Sequence, residues 1–284
     1  MKMRIVFAAA VMALAVLASA FPAHAGQPSS CKPGEVFANE EVSIWFHGKK
    51  GFVKVFDTNE SSQEQHVYDY KTGRLTELGA DNMTLASMNL ERAYPQTSGC
   101  EIVETNEFVN MSITITDDVK PGQGHGSSVG EATVTFAYHF NKSSQGAKFD
   151  LFVENWPWQS ADSELAYAFS VHAPNGNIEA AENGVGFSNE SGAPRGYIEW
   201  APNATAFYDD GHNETALVDG ETEVSGNTAE VVLRFTNVTA GYSYLEYDPF
   251  VGVGPYVIIA GVLVGLAPAA PALKLARELL GLAR

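Results

Sequence analysis

Positively charged residues are scarce in this chain of 284 residues, which carries 17 Lys and Arg against 34 Asp and Glu. Residues 26–273 hold 12 of the basic residues and 33 of the acidic ones, so the net charge of this part is near −21. Such a surface repels the phosphates of nucleic acids and the headgroups of anionic lipids. The composition therefore argues against a nucleic-acid partner.

Signatures of catalysis and of metal binding are also missing. The segment Gly126 to Gly130 matches the G-x-S-x-G pattern around a nucleophilic serine, but Ser128 lacks the strand before it and the helix after it that this motif needs. The histidines outside residues 1–25 show no H-x-H or H-x-x-x-H spacing. The acidic turn from Asp209 to Glu214 lacks the ligand spacing of a calcium loop. We therefore predict no catalytic residue, no metal site and no cofactor.

Cysteine is nearly absent as well, with Cys31 and Cys100 the two in the chain. Residues 1–25 have a basic start, an apolar run and the ending Ala23-His24-Ala25, which is typical of a secretory signal peptide. Exported proteins fold where disulfides form, so we predict a Cys31–Cys100 bridge. Two unpaired thiols are the alternative.

A long uncharged segment lies near the other end, at residues 250–273. Its length suffices for a helix across the roughly 30 Å hydrocarbon layer of a bilayer. Residues 274–284 are basic and amphipathic, and aromatic residues crowd the start of the segment, as in a single-pass span with its C-terminus inside. We expect a type I protein of the cell membrane with an extracellular domain at residues 26–249. A buried hydrophobic helix is the alternative.

Asparagine usage is the most specific signal in the sequence. Eight of the 16 asparagines begin an N-x-S/T triplet without proline, far more than chance provides. This excess indicates glycosylated sites on exposed loops and outer strand faces of an exported glycoprotein. The eight are Asn59, Asn82, Asn110, Asn141, Asn189, Asn203, Asn213 and Asn237.

The hydrophobic residues between 41 and 248 recur with a period of two, which is the period of half-buried β-strands. Examples are residues 109–116, 132–140, 165–171 and 229–235, and turn-rich stretches separate these runs. The pattern predicts an all-β, antiparallel β-sandwich, either one large sandwich or two smaller ones divided near residues 117–130.

The segment WPWQSADS joins two such strands and places Trp156 and Trp158 on either side of a proline. Residues two apart in an extended chain point the same way, so the two indoles are expected to lie side by side. Side-by-side rings at a loop tip suit stacking on a sugar, which makes the pair a candidate ligand site. The same rings would equally plug the end of a hydrophobic core, and that interpretation is favoured because tryptophan buries a large apolar area.

These observations predict a membrane-anchored surface glycoprotein that is not an enzyme. It would act in adhesion, in the binding of an extracellular protein or glycan, or in an envelope. The alternative is a membrane-anchored extracellular hydrolase of polysaccharides or esters, because loops on β-sheet frameworks also host such sites.

Overall fold

The computed structural model describes residues 34–38, 42–47, 52–58, 65–92, 98–122, 126–142, 146–253, 256–259 and 261–265. The predicted signal peptide, Cys31, Asn59 and residues 266–284 lie outside these ranges. The described residues form twenty strands and one helical turn at residues 90–92. In chain order the strands are β1 (Gly34–Ala38), β2 (Val42–His47), β3 (Phe52–Asp57), β4 (His66–Leu78), β5 (Thr84–Asn89), β6 (Ser98–Glu104), β7 (Phe108–Pro121), β8 (Gly130–Asn141), β9 (Gly146–Glu154), β10 (Glu164–His172), β11 (Gly176–Ala181), β12 (Gly184–Asn189), β13 (Pro194–Glu199), β14 (Asn203–Phe207), β15 (Asn213–Ser225), β16 (Thr228–Thr236), β17 (Tyr244–Tyr247), β18 (Phe250–Val253), β19 (Tyr256–Ile259) and β20 (Val262–Gly265).

The all-β content agrees with the period-two alternation in the sequence. In β7 the side chains of Val109, Met111, Ile113 and Ile115 are buried, and the residues between them are partly exposed. Strand β8 repeats the pattern, and its buried side chains face the same core. The predicted division near residues 117–130 falls on the connection between these two strands, which are paired along their length.

The predicted sandwich of two separate sheets is wrong. Eighteen strands join in a single antiparallel sheet, and ten of them close a hydrogen-bonded ring in the order β4, β10, β16, β15, β14, β17, β9, β8, β7 and β5, with β5 paired again to β4. The ring forms a closed barrel because β14 bonds β17 and β5 bonds β7, which are contacts between strands far apart in sequence. Alternation marks the inward face of a strand and carries no information about its partner.

The remaining strands of this sheet extend the ring at three places. Strands β3, β2 and β1 continue from the edge of β4, β6 pairs with β7, and β18, β13, β12 and β11 continue from β9. One hydrophobic core takes side chains from both the ring and these additions.

The apolar segment at residues 250–273, predicted as a membrane helix, begins as β-strands. Strand β18 pairs with β13 and β9, and β19 and β20 form a hairpin that turns at Gly261, whose φ is 87°. Leu263 is buried against Tyr197 and Tyr256. The prediction failed because a short run rich in valine and isoleucine satisfies its backbone hydrogen bonds as well in a β-ladder as in a helix. Its periodicity does not distinguish a buried strand from a buried helix.

Within the described part of the chain, no helix is long and apolar enough to cross a membrane. The predicted single-pass span, its partnership with the membrane and the type I cell-membrane location are therefore not supported. The amphipathic tail predicted at residues 274–284 lies outside the described ranges.

Candidate ligand-binding surface

Trp45 is the exposed tryptophan of this protein, with 44% of its surface accessible, whereas Trp156 and Trp200 are buried. It lies on β2 between the buried residues Ile44 and Phe46, so strand alternation directs its side chain outward. Its indole Nε1 donates a hydrogen bond of 3.0 Å to Ser43 Oγ, which fixes the ring on the outer face of the sheet.

Two further rings continue from this indole across the neighbouring strands. The ring of Phe56 on β3 lies 6.0 Å from that of Trp45, and the imidazole of His66 on β4 stacks on Phe56 at 4.7 Å. The arrangement of the three rings follows from the strand register, in which Phe56 pairs with Ser43 on β2 and with His66 on β4.

Charged groups line the next row of the same face. The strand register sets Trp45 beside Lys54, Lys54 beside Asp69 and Asp69 beside His172. The Asp69 carboxylate lies 2.7 Å from His66 Nε2, 3.6 Å from His172 Nδ1 and 3.7 Å from Lys54 Nζ. We call Trp45, Lys54, Phe56, His66, Asp69 and His172 together the Trp45 surface.

Asp69 is the anionic centre of this surface. Burial by itself raises the pKa of its carboxyl group, but the hydrogen bond and charge of His66, with the charge of Lys54, outweigh burial and lower the pKa below 3.8. The carboxylate therefore stays ionised near neutral pH and acts as a hydrogen-bond acceptor.

The lowered pKa of Asp69 predicts a dependence of stability on pH. Because the folded pKa lies below the unfolded one, Asp69 stabilises the fold above the unfolded pKa, and this contribution is lost as the pH falls through the folded pKa. The difference in unfolding free energy between the wild type and Asp69→Asn should therefore shrink from about pH 5 downwards. Urea titrations at a series of pH values would measure it, with Asp209→Asn in an exposed turn as control. A difference that stays constant to the lowest pH would contradict the prediction.

The structure places Trp156 of the predicted ligand site in the core, with 4% of its surface accessible. Its Nε1 donates a hydrogen bond of 3.1 Å to Glu77 Oε2. Trp158 is partly buried, and its Nε1 reaches the carbonyl oxygen of Tyr242 at 3.1 Å, so the two indoles have different partners. Of the two interpretations of this segment, the placement of Trp156 favours packing in the hydrophobic core over a ligand site.

Glu77 was not predicted as an important residue, yet it organises the WPWQSADS segment. It is fully buried at an inward position of β4. Besides Trp156, its carboxylate accepts hydrogen bonds from the backbone N–H groups of Gln159 and Ser160 and from Ser163 Oγ, between 2.7 and 3.1 Å. The sequence does carry a sign of this role: Glu77 follows Leu75 by two residues, so the strand alternation directs this charged side chain into the core.

The asparagines of the predicted glycosylation sites lie on the surface where they are described. Four are exposed, namely Asn82, Asn203, Asn213 and Asn237, and three are partly exposed, namely Asn110, Asn141 and Asn189. Their glycosylation stays a prediction. The Cys31–Cys100 bridge also stays a prediction, because Cys31 lies outside the described ranges. Cys100, which lies within them, is not a free thiol.

The other candidate residues take part in turns. Ser128 Oγ bonds the backbone carbonyls of Val119 and Gly130 in the connection before β8. In the acidic turn His212 stacks on Tyr208 with ring centres 4.1 Å apart. No cluster of three or more metal-ligating side chains occurs in the described ranges.

Comparison with known proteins gives little help in assigning a function. No family model and no curated protein matches the chain. Among solved structures, an α-N-acetylgalactosaminidase from Bifidobacterium bifidum in complex with GalNAc aligns with 86% of this chain and 38% of its own length, at 11% identity and a TM-score of 0.41. A glycosyl hydrolase family 38 protein from Enterococcus faecalis aligns with 84% and 32%, at 11% identity and a TM-score of 0.43.

Both of these distant neighbours are glycoside hydrolases, and this chain spans 38% and 32% of their lengths. The likeness is too weak to carry an argument about activity. The residues of this chain must therefore carry any functional proposal.

Proposed function

We propose that this protein is a glycan-binding glycoprotein, not an enzyme, and that it binds sugars on the Trp45 surface. The observation that carries the proposal is the exposed indole of Trp45, which is held in line with two further rings and beside a fixed group of charges.

The chemistry of the surface suits a sugar. A large apolar ring left on the surface gains free energy when a ligand covers it, and the C–H face of a sugar ring offers a flat partner. The Asp69 carboxylate accepts hydrogen bonds from hydroxyl groups, Lys54 donates to them, and the two imidazoles donate to them or accept from them. These groups already hold one another in place, so little conformational entropy is lost on binding.

The same geometry favours binding over hydrolysis. Glycoside hydrolysis needs a carboxylic acid that donates a proton and therefore has a raised pKa. Asp69 has a lowered pKa, because His66 and Lys54 stabilise its charged form more than burial destabilises it. A group of this kind suits the recognition of hydroxyls and not the protonation of a leaving group.

A glycan array probed with the purified protein tests the proposal, followed by titration calorimetry with the best ligand. Trp45→Ala should weaken binding by about 30-fold, which corresponds to about 2 kcal/mol for a buried aromatic anchor. Phe108→Ala is the matched control, because Phe108 is a similarly exposed aromatic residue on β7. It should leave the affinity unchanged.

Two results would count against the proposal. One is the absence of any glycan ligand, or a ligand whose affinity is insensitive to Trp45→Ala. The other is turnover of the bound saccharide, which would revive the alternative of an extracellular hydrolase.

A further inference from the structure

A polar pocket of about 530 Å³ lies away from the Trp45 surface, where β4 and β16 end and β10 begins. Polar side chains line most of it, among them Asn82, Ser163, Glu164, Arg234, Thr236 and Asn237. Its volume falls in the range of pockets that enclose small organic ligands. Two predicted glycosylation sites therefore stand on the rim of one pocket.

The side chain of Asn82 is fixed at this rim in a particular orientation. Arg234 Nη1 donates a hydrogen bond of 2.8 Å to Asn82 Oδ1 and another of 3.0 Å to Glu164 Oε1. A guanidinium group has donors only, so the atom of Asn82 that faces Arg234 must be the oxygen. The Nδ2 atom, to which an N-linked sugar is attached, therefore lies on the other side of the amide, and no protein group within the described ranges bonds it.

Asn189, at another predicted glycosylation site, shows the same arrangement. Its Oδ1 accepts hydrogen bonds from Ser191 Oγ and from the backbone N–H of Ala193. Of the asparagines outside such triplets, Asn177 and Asn183 donate Nδ2 hydrogen bonds to the protein, whereas Asn89 accepts one on Oδ1 from the backbone N–H of Arg92. The fold thus holds the amides of Asn82 and Asn189 with the attachment atom open.

We infer that the pocket is the binding site of the protein's own glycan on Asn82, whose first sugars fill it. On attachment, Nδ2 bonds the anomeric carbon of a glycan donor activated as a pyrophosphate. The pyrophosphate leaves with the bonding electron pair, and one of the two Nδ2 protons passes to a basic group of the enzyme that transfers the glycan. Oδ1 keeps its bond to Arg234, and the hydroxyl and acetamido groups of the first sugars bond Glu164 and Thr236. The inference is independent of sugar binding at the Trp45 surface.

The test removes the glycan without touching Asn82. Thr84→Val destroys the Asn82-Met83-Thr84 triplet with a side chain of the same shape, and it leaves the Asn82–Arg234 bond in place. In a host that glycosylates, this variant should melt about 2 to 4 °C below the wild type. In a bacterial host that attaches no glycan, the two melting temperatures should agree, which separates the loss of the glycan from the loss of the threonine.

Thr205→Val is the matched control, because it removes the glycan on exposed Asn203, away from the residues that line the pocket. Its melting temperature should equal that of the wild type in both hosts. A glycan seated in the pocket should also resist enzymatic release from the native protein at least tenfold longer than the glycan on Asn203.

Three outcomes would overturn the inference. They are an unmodified Asn82 in peptide mass spectra, equal release rates at Asn82 and Asn203, and equal melting shifts for Thr84→Val and Thr205→Val. If Thr239→Val were the one variant of the three to lower the melting temperature, the pocket would belong to the glycan on Asn237, and the assignment to Asn82 would also be overturned.

Discussion

Trp156→Ala is expected to lower the free energy of unfolding by about 3 to 5 kcal/mol and to lower the yield of folded protein. The indole is almost fully buried in the main core, so its removal loses transfer free energy and leaves a cavity. It also leaves Glu77 Oε2 without its indole donor. Urea unfolding of the purified variant, together with its yield of folded protein, would measure the effect.

Trp158→Ala is the comparison for this experiment. Trp158 is partly exposed and packs edge-on against Tyr242 with ring centres 4.7 Å apart, so its loss should cost about 1 to 2 kcal/mol. If Trp156→Ala instead left stability intact and abolished glycan binding, the WPW segment would be the ligand platform, and the core interpretation would be wrong.

Glu77→Leu is expected to destabilise the protein by about 3 to 5 kcal/mol, although it places an apolar residue at a buried position. The four donors that meet at the carboxylate would lose their acceptor, which is itself fully buried. Each buried donor left unsatisfied costs about 1 to 3 kcal/mol, and partial relaxation of the loop reduces the sum. Chemical denaturation would give the value.

Glu77→Gln separates the contribution of the hydrogen bonds to stability from that of the side-chain volume, because glutamine has nearly the same size as glutamate. Its amide oxygen can replace Oε1, which accepts from Ser160 and Ser163, whereas its NH₂ group would face the indole donor of Trp156. The glutamine variant should therefore lie between the wild type and Glu77→Leu in stability. A leucine variant as stable as the wild type would show that the carboxylate does not hold the loop.

The sequence predicted four strands of the ring well because each of them has one face in the core, and a half-buried strand needs alternating side chains. The runs around Val109, Val134, Phe169 and Leu233 all have this form, and all are strands. It did not predict which strands pair. The bond between β5 and β7 that closes the ring rests on the residue pairs Ala86–Pro121 and Ser87–Lys120, which have no recognisable signature.

The prediction of a membrane helix shows the same limit. Absence of charge over residues 250–273 indicates burial in an apolar surrounding, but it does not distinguish a bilayer from the neighbouring strands of a sheet. The contact of Leu263 with Tyr197 and Tyr256 supplies such a surrounding from residues some 60 positions earlier in the chain as well as from the hairpin itself.

For the candidate site, the sequence indicates Trp156 and Trp158 as a tentative ligand pair and favours core packing for them; ligand binding at this pair stays a prediction, and the Trp45 surface is proposed from the structure. Trp156 and Trp158 stand out because they lie close together in the sequence, whereas Trp45 is a single tryptophan on a strand. Its exposure depends on which face of β2 is covered, and the neighbours Lys54, Asp69 and His172 come from three other strands.

The sequence alone therefore determined the β-class of the chain, the inward and outward phase of its main strands and the eight candidate glycosylation sites, because these depend on local patterns. The tertiary structure decided the closed ring, the strands at residues 250–265, the burial of Trp156 on Glu77 and the assembly of the Trp45 surface. Each of these depends on pairing between segments distant in sequence, and the free energy of such pairings is set by the whole fold and not by either segment alone.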